Sequence, residues 1–514
     1  RNQFKMLNLW KTQTRLGSKI AKAPVMAAMT SRNFSATIFN SPEEAIADIP
    51  HGSSVSFGGF GLVGLPENLI TALVKKGTKD ITAISNEAGV DGHGIDQLLI
   101  NRQIKKIICS FAGNNKNFEH QYFNGDLEVE LVPQGSFAEK LRAGGAGIPA
   151  FYTRTGVGSI VGEGGIVSKF SPGGGEIEKV TIGKEMRIFN NMRCLMVHAL
   201  TSEYAFIKGH VADELGNVCF NKTAMNFNVD MAKASKNTIV EVEKIVPAGE
   251  LDPHHIQLPH IYVSRLVLGK NYVKPIEQYT IKKDGENATD SDYFKSESGI
   301  IRKKIAQRAA QFVKNKNYIN LGIGIPVLIA NFLDPKIEVT FQSENGILGL
   351  GEFPYEHEVD PDLINAGKQV VTVVKGGSFM TSSETFAMIR GGHIDITFLG
   401  GMQVSEKGDL ANWIIPGKIV KGMGGAMDLV GGAKKRIIVM QHTTKNGRSK
   451  ILRECSLPLT GSKCVSALVT EKAVFQWDRL GKMHLTDVAD ESSVEEVRAL
   501  TDAIFVVDED LKTF

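Results

Sequence analysis

Hydrophobic residues, glycines and polar residues alternate in a pattern that predicts strands and helices following one another along the chain. The segment "SSVSFGGFGLVGLPENLITALVKKG" (53–77) predicts a strand, a glycine loop and a helix, and "DITAISNEAGV" (80–90) predicts a second strand that ends in a turn. This order is typical of an α/β domain with parallel strands. Ser41 followed by Pro42 and two acids predicts a helix start, so we expect the folded part to begin near residue 41.

The same order of elements recurs in the second half of the chain. The segment "YINLGIGIPVLIANFL" (318–333) repeats the strand, the glycine loop and the proline-led helix. The segment "VTFQSENGI" (339–347) then matches "ITAISNEAGV", which places Glu344 on Asn86. A long-range repeat of this kind predicts two homologous α/β domains joined head to tail.

Length and local composition suggest where these domains begin and end. A chain of 514 residues exceeds one ordinary hydrophobic core. We predict an N-terminal domain over 38–280, a polar linker over 281–299 and a C-terminal domain over 300–514. Residues 1–37 have the basic, hydroxylated character of a mitochondrial transit peptide, since seven Lys or Arg and no acid precede Glu43. A disordered basic tail is the alternative.

Composition and charge narrow the classes of function. Apolar residues make up 42% of the chain, charged residues 22%, and there are 53 glycines, as in a soluble globular protein with many tight turns. A net charge of +3 is too small and dispersed to predict nucleic-acid or membrane binding, so we expect small-molecule partners. The five cysteines are odd in number and contain no C-x-x-C, so neither disulfides nor a structural zinc site is expected.

The segment "FQSENG" (341–346) places one carboxylate between an apolar strand and a glycine-rich turn. Glutamate is a poor strand residue, and the equivalent residue in the first half is Asn86, so the turn does not require the charge. A carboxylate is a nucleophile without help from a base and forms covalent acyl or phosphoryl intermediates. Glu344 is therefore a candidate nucleophile, with a structural salt bridge or a capping acid as the alternative.

The glycine loop "GGFGLVG" (58–64) contains G-x-G-x-x-G, and Glu87 follows about twenty residues later, as in dinucleotide-binding domains. The second copy of the loop, "GIGIP", does not keep this pattern. Such glycines can instead present backbone N–H groups to a developing oxyanion. The sequence contains no P-loop, H-E-x-x-H or G-x-S-x-G motif, so it gives no support to the chemistries that depend on them.

Two signatures, "GGFGLVGLP" (58–66) and "FQSENG", resemble those of the family I coenzyme A transferases. They stand in the order expected when the two subunits of that family are fused, and the resemblance covers roughly residues 38–512. The segments "PQGSFAEKLRAGGAG" (133–147) and "KGMGGAMDLV" (421–430) extend it. His51 departs from the usual Asp or Asn, outside the chemistry. The implied fold is two homologous open α/β CoA-transferase domains in one chain.

The resemblance also implies a ping-pong transfer of coenzyme A. Glu344 is then the catalytic residue: it attacks the acyl carbonyl of succinyl-CoA, becomes a glutamyl–CoA thioester, and passes the CoA to acetoacetate. The implied oxyanion and substrate-binding residues are Gln134, Asn320, Gly58, Gly59, Gly425 and Ala426. Lys368 is implied as a ligand of CoA or of a substrate carboxylate.

Further implications concern partners and location. The resemblance implies a homodimer in the mitochondrial matrix that serves ketone-body catabolism. It implies no cofactor and no metal, because coenzyme A is itself a substrate and acyl transfer without hydrolysis needs no water-activating group. The alternatives are a family I transferase with another acyl donor or acceptor, such as acetate or another 3-oxo acid, a CoA-binding protein without catalysis, and a nicotinamide-dependent dehydrogenase.

Overall fold

The computed structural model describes the chain from residue 35 onward, with short gaps; the described ranges are 35–90, 92–113, 115–283, 292–417 and 419–514. Nearly all of the expected transit peptide and the middle of the expected linker lie outside these ranges, so both stay predictions. Within the described part of the chain, no helix is long and apolar enough to cross a membrane.

The first half of the chain alternates strands and helices as the hydrophobic pattern predicted. Its strands are β1 (Thr37–Phe39), β2 (Ser54–Phe57), β3 (Ile81–Ser85), β4 (Ile104–Cys109), β5 (Glu128–Leu131), β6 (Ala150–Thr153), β7 (Val167–Phe170), β8 (Ile177–Val180), β9 (Met186–Phe189), β10 (Met192–His198), β11 (Ser202–Lys208), β12 (Val211–Asp213), β13 (Val218–Cys219), β14 (Ser235–Val242), β15 (Lys244–Val246) and β16 (Arg265–Leu268). Its helices are α1 (Pro42–Ala45), α2 (Glu67–Lys76), α3 (Asp96–Ile100), α4 (Lys116–Phe123), α5 (Gln134–Gly145), α6 (Ile160–Glu163) and α7 (Asn228–Lys233).

Eight of these strands form one open sheet in the order β1-β16-β14-β11-β2-β3-β4-β5. Every neighbouring pair in it is parallel. Parallel sheets are buried on both faces, which explains why the central strands are nearly continuous runs of buried residues, as in β2 and β3. The predicted α/β class is confirmed.

The second half begins with a helix and builds a second sheet. Its strands are β17 (Tyr318–Leu321), β18 (Thr340–Ser343), β19 (Ile347–Leu350), β20 (Val373–Phe379), β21 (Ile396–Gly400), β22 (Gln403–Ser405), β23 (Leu410–Ala411), β24 (Ile414–Ile415), β25 (Ile419–Val420), β26 (Lys435–Val439), β27 (Ile451–Leu452), β28 (Ala467–Val469), β29 (Ala473–Trp477), β30 (Met483–Val488) and β31 (Val506–Thr513). Its helices are α8 (Glu297–Ala310), α9 (Ile325–Leu328), α10 (Ser382–Arg390), α11 (Ala426–Gly432) and α12 (Val494–Ala499). Helix α8 thus starts inside the stretch predicted as linker.

The second sheet has ten strands in the order β20-β19-β18-β17-β21-β26-β28-β29-β30-β31. Its central strands β18-β17-β21-β26-β28 are parallel, antiparallel pairings extend it on both sides, and the last strand, β31, pairs with β30 in parallel. The central five have the same order and direction as β3-β2-β11-β14-β16 of the first sheet. Strands β3 and β18 end at Ser85 and Ser343, the residues that the sequence repeat aligned.

Short sequence signals set the ends of several helices. The Ser41 hydroxyl accepts the Glu44 N–H at 3.2 Å, and Pro42 opens α1, as predicted. Helix α2 ends at Gly77, whose φ of 72° lies in the left-handed region that glycine adopts readily. Helix α10 starts with a capping box formed by Thr381 and Glu384.

Helix α5 of the first half packs directly against the second half of the chain. Phe137 on α5 lies edge-on to Phe227, with ring centroids 5.5 Å apart, in a core that also contains the fully buried Phe386 of α10. A Cβ atom on Gly135 would lie 2.4 Å from Asp428 Oδ1 and 2.6 Å from the Phe386 ring, so α5 begins at a contact that admits no side chain. The first residue of α5, Gln134, is thereby fixed at the junction between the two halves.

Candidate active site

Glu344 lies one residue beyond the carboxyl end of β18, in the turn that leads to β19. The carboxyl ends of the strands are where open α/β sheets bind their ligands. Its backbone carbonyl accepts a 2.6 Å hydrogen bond from the Thr385 hydroxyl on α10, which anchors the turn. The side chain is partly exposed and lines a cavity between the two halves. The turn therefore presents one carboxylate to this cavity.

The Glu344 carboxylate is held by an oriented amide. Asn320, at the end of β17, donates from Nδ2 to Glu344 Oε2 at 3.2 Å, and the same Nδ2 donates to Gln342 Oε1 at 2.8 Å. Burial raises the pKa of Glu344, while the Asn320 hydrogen bond and the positive charge of Lys368 act in the opposite direction. A carboxylate that is partly removed from water is more basic, and so more nucleophilic, than one in bulk water.

Gly425 and Ala426 lie beside this carboxylate. Gly425 precedes α11, and a Cβ atom built on it would stand 3.0 Å from Glu344 Oε1 and 3.3 Å from its Cδ. Any side chain at Gly425 would therefore crowd the Glu344 carboxylate. Ala426 lines the same cavity, although its N–H makes a long hydrogen bond of 3.3 Å to the Met423 carbonyl.

Gln134 reaches the cavity from the first half. Its backbone N–H donates to the Gly424 carbonyl at 2.9 Å, across the junction between the halves. Its side-chain Nε2 donates at 2.8 Å to Oδ1 of Asn86, the residue that the repeat aligns with Glu344. The two equivalent strand ends therefore meet in one site, where one contributes the carboxylate and the other fixes the Gln134 amide.

Lys368 lines the cavity as a buried cation. Its Nζ lies 2.8 Å from Oε1 of Glu87 and above the rings of Phe60 and Phe111, at 4.9 and 4.7 Å from their centroids. Burial disfavours the charged form, but the neighbouring carboxylates, Glu87 foremost, outweigh it and raise the pKa of Lys368. The ammonium therefore stays protonated and is available to an anionic or carbonyl group in the cavity.

The cavity has a volume of about 350 Å³ and draws its walls from both halves of the chain. The first half contributes Phe60, Glu87, Phe111 and Gln134, and the second half contributes the remaining lining residues, among them Glu344, Lys368, Gly425, Ala426, Leu321, Trp413 and Met423. A space of this size accommodates a small acyl group and the end of an extended thiol arm. Neither half encloses it alone.

Gly58 and Gly59, the remaining residues predicted for the site, do not line this cavity. The Gly58 N–H donates to the Phe206 carbonyl at 2.9 Å, which continues the pairing of β2 with β11, and a Cβ on Gly58 would lie 1.8 Å from Asn228 Oδ1. A backbone N–H that is already bonded within the sheet cannot also donate to an oxyanion. In this structure Gly58 therefore pairs the two strands and leaves room for the Asn228 side chain.

Two residues that matter to the geometry are not evident from sequence in these roles. The sequence pattern points to Glu87 only as the acid of a dinucleotide motif, yet it pairs with Lys368. Asp428 accepts the Gly135 N–H at 2.8 Å and the Thr155 hydroxyl at 2.9 Å, and burial raises its pKa to about 6. Both residues make contacts between distant segments of the chain. The only sequence signal for them is their position, since Glu87 directly follows "SN" and Asp428 directly follows "GGAM".

Comparison with known proteins agrees with this site. The family described as coenzyme A transferase matches residues 39–269 and 302–499, which together span most of the chain. The chain belongs to the coenzyme A transferase family. The matched segments include Gln134 in the first half and Asn320, Glu344, Lys368 and Gly425 in the second, so the cavity walls come from the part of the chain that defines the family.

Similar coenzyme A transferases are known from animals and bacteria. The chain is 49% identical over 484 residues, 94% of its own length and 92% of the other's, to the mitochondrial succinyl-CoA:3-ketoacid coenzyme A transferase 2A of Rattus norvegicus. It is also similar to one of the subunits of the probable succinyl-CoA:3-ketoacid coenzyme A transferase of Bacillus subtilis. There the identity is 55% over 206 residues, covering 95% of that polypeptide and 40% of this chain.

Among solved structures, an acyl-CoA transferase from Escherichia coli O157:H7 has the same fold. The two superpose with a TM-score of 0.72 at 21% identity, covering 94% of this chain and 96% of the other. The predicted pair of homologous open α/β domains in one chain is thereby confirmed as the fold.

Proposed function

We propose that the chain transfers coenzyme A from succinyl-CoA to a 3-oxo acid, with acetoacetate as the acceptor and succinate as the other product. The observation that carries this proposal is the Glu344 carboxylate, which faces an interdomain cavity with glycine backbone on one side and oriented amides on the other. The relatives named above as succinyl-CoA:3-ketoacid transferases support the choice of substrates.

In the first step, one oxygen of the Glu344 carboxylate attacks the thioester carbonyl of succinyl-CoA. The C–S bond breaks, and the products are a glutamyl–succinyl anhydride and the CoA thiolate. The carbonyl oxygen carries negative charge in the tetrahedral state, and amide donors positioned for that charge typically contribute about 3–4 kcal/mol each. We assign this task to Gln134 and to the backbone at Gly425 and Ala426, which line the cavity together with Glu344; the Ala426 N–H would have to give up its long 3.3 Å bond to the Met423 carbonyl.

In the second step, the thiolate attacks the glutamyl carbonyl of the anhydride. Succinate leaves with the oxygen that Glu344 supplied, and a glutamyl–CoA thioester remains. Acetoacetate then reverses both steps: its carboxylate displaces the thiolate from the glutamyl carbonyl, and the thiolate attacks the acetoacetyl carbonyl. Acetoacetyl-CoA leaves, and Glu344 regains an oxygen from acetoacetate. Every bond that forms is matched by one that breaks, and no water is consumed.

The cavity favours this sequence because it keeps the CoA thiolate close to two successive carbonyl groups. Holding reactants in this way replaces an encounter in solution and can contribute several kcal/mol. Asn320 orients the carboxylate for the first attack, and Lys368 offers a cation to the far end of the acyl group. No cofactor is required, since coenzyme A is itself transferred.

The proposed location is the mitochondrial matrix, with acyl-CoA, 3-oxo acid and succinate as partners. The names of several relatives place those proteins in mitochondria.

We also propose a homodimer. Its support is a set of exposed isoleucines on strands β8 and β9 and in the segment between them: Ile177, Ile182 and Ile188 are 59%, 89% and 68% exposed. Light scattering on the purified protein tests the oligomeric state.

Intact mass spectrometry tests the mechanism. The protein is mixed with succinyl-CoA alone, and a second sample is then treated with borohydride. We expect a CoA adduct that maps to Glu344 and disappears on reduction of the thioester. A Glu344→Gln variant that still binds succinyl-CoA is expected to show no adduct. Absence of the adduct in the unmodified protein, with the site shown to be occupied, would favour a CoA-binding protein without transfer.

A further inference from the structure

Lys368 and Glu87 form an ion pair inside the cavity that receives the acyl group under the proposed function. The side chains are 10% and 8% exposed, and their N–O distance is 2.8 Å. The Phe60 and Phe111 rings flank the same ammonium. Asn86 donates to Glu87 Oε1 at 3.2 Å and is itself bonded to Gln134. The Glu87 carboxylate is therefore anchored to the cavity wall and does not swing freely.

The two acyl groups of the proposed reaction differ in charge at the end away from the reacting carbonyl. A succinyl group ends in a second carboxylate, whereas an acetoacetyl group carries a neutral ketone. Both must place the reacting carbonyl at Glu344. An unpaired buried lysine would strongly favour the carboxylate, because the ammonium and the carboxylate attract each other as opposite charges, whereas the ketone carries no net charge. Such a site would retain succinate and disfavour acetoacetate.

We propose that Glu87 sets the balance between these two substrates by compensating the charge of Lys368. An ammonium has three N–H donors, and Glu87 occupies one of them. The others can donate to a distal carboxylate or to a distal ketone. A distal carboxylate bound there is repelled by Glu87, whereas a ketone is not. The Lys368–Glu87 ion pair therefore reduces the difference in affinity between the succinyl and the acetoacetyl group. Glu277 and Glu344 also act on the Lys368 charge, in the same sense as Glu87.

Replacing Glu87 by glutamine removes this negative charge at nearly constant volume and leaves an oxygen that can still accept from Lys368. For Glu87→Gln we expect the KM of succinyl-CoA and the inhibition constant of succinate to fall about tenfold, the equivalent of one neighbouring charge in a partly buried site. The KM of acetoacetate is expected to change less than about threefold.

Three further variants separate charge from position. Glu87→Asp keeps the charge and is expected to stay near the wild-type ratio of succinate to acetoacetate affinity. Glu130→Gln removes a carboxylate that pairs with Lys106 and Lys140 outside this cavity, and it is expected to leave the ratio unchanged. In a Lys368→Met background, Glu87→Gln is expected to give no succinate-selective gain.

The inference rests on the proposed function, and the experiment distinguishes the failure of each. If unmodified protein forms no CoA adduct with succinyl-CoA, the transfer itself is refuted, whatever Glu87 does. If the adduct forms but Glu87→Gln raises the KM of succinyl-CoA and of acetoacetate alike, Glu87 merely holds Lys368 in place and this inference is overturned. An unchanged ratio of the two affinities in Glu87→Gln would overturn it as well.

Discussion

The Asn320 amide offers the most direct way to change the reactivity of Glu344. Its Nδ2 donates to Glu344 Oε2 at 3.2 Å and to Gln342 Oε1 at 2.8 Å, and the residue is fully buried. A hydrogen bond to a carboxylate favours the ionised form and so lowers its pKa, against the effect of burial. Leucine has a similar branched shape, so Asn320→Leu removes the donor without opening a large cavity.

The expected size of the effect follows from this single contact. A hydrogen bond to a charged group contributes about 1.5–3 kcal/mol, and one pKa unit corresponds to about 1.4 kcal/mol. At 3.2 Å the contact is long for a charge-assisted bond, so the lower figure applies, and the pKa of Glu344 should rise by about one unit in Asn320→Leu. Stability should also fall by about 1–3 kcal/mol, because Gln342 Oε1 loses its donor.

The assay is the pH dependence of kcat/KM for succinyl-CoA, followed as formation of acetoacetyl-CoA. Glu344 must be ionised to attack, so activity is present above its pKa and is lost as the pH falls through it. We expect the acid limb to move to higher pH by about one unit in Asn320→Leu. Thr397→Val is the matched control, since Thr397 donates to the other side of Asn320 at 3.5 Å. An acid limb that stays in place, or moves to lower pH, would refute the reasoning.

Local geometry supports three further predictions. Gly425→Ala places a Cβ 3.0 Å from Glu344 Oε1 and should slow formation of the CoA adduct about tenfold or more in a folded protein, measured by quenched-flow mass spectrometry. Gly135→Ala forces a Cβ to 2.4 Å from Asp428 Oδ1 and should cost about 1–3 kcal/mol, seen as a lower thermal midpoint. Burial lowers the pKa of His442 to about 4, so the unfolded chain binds the extra proton first and stability falls as the pH drops from about 6.5 to 4. His442→Gln should therefore be destabilised at pH 7.5 but less so at pH 5, measured by thermal unfolding, and an equal loss at both pH values would contradict this.

The repeat in the sequence predicted the fold well because it constrains strand order. Aligning "ITAISNEAGV" with "VTFQSENGI" placed two strand ends in register, and the structure shows both sheets with the same central five strands. The antiparallel strands that widen the second sheet, such as β19 and β29, were not predicted, because hydrophobic periodicity does not encode the direction of a strand. Helix α8 begins before residue 300 because Ser296 caps it.

The site was predicted less evenly. Glu344 stood out because its charge is costly at a strand end and absent from the other copy, and the structure places it at the cavity wall. The roles of Gln134, Asn320, Gly425, Ala426 and Lys368 came from resemblance and stay predictions, although the structure brings all five to Glu344 or to its cavity.

The surroundings of Gly58 and Glu87 depend on contacts between segments far apart in the chain, which motif spacing does not reveal. Gly58 sits in a motif that suggested an oxyanion donor, but its amide belongs to the sheet and its Cα is pressed against Asn228. Glu87 matches the acid of a dinucleotide-binding motif. In the structure it forms an ion pair with Lys368, which lies 281 positions further along the chain. Motif spacing carries no information on which loops meet across a domain junction.

Asn86 and Glu344 occupy equivalent strand ends in the two halves of the chain. This equivalence bears on how many covalent CoA groups one chain can carry. A duplicated fold could carry two reaction centres, one at each strand end, but the amide of Asn86 cannot act as an acyl acceptor in the way that a carboxylate does. Under the proposed function, the duplicated fold therefore provides one nucleophile per chain, Glu344, while Asn86 at the equivalent strand end accepts a hydrogen bond from the Gln134 side chain. Titration with succinyl-CoA should saturate at one covalent CoA per chain, however many chains assemble.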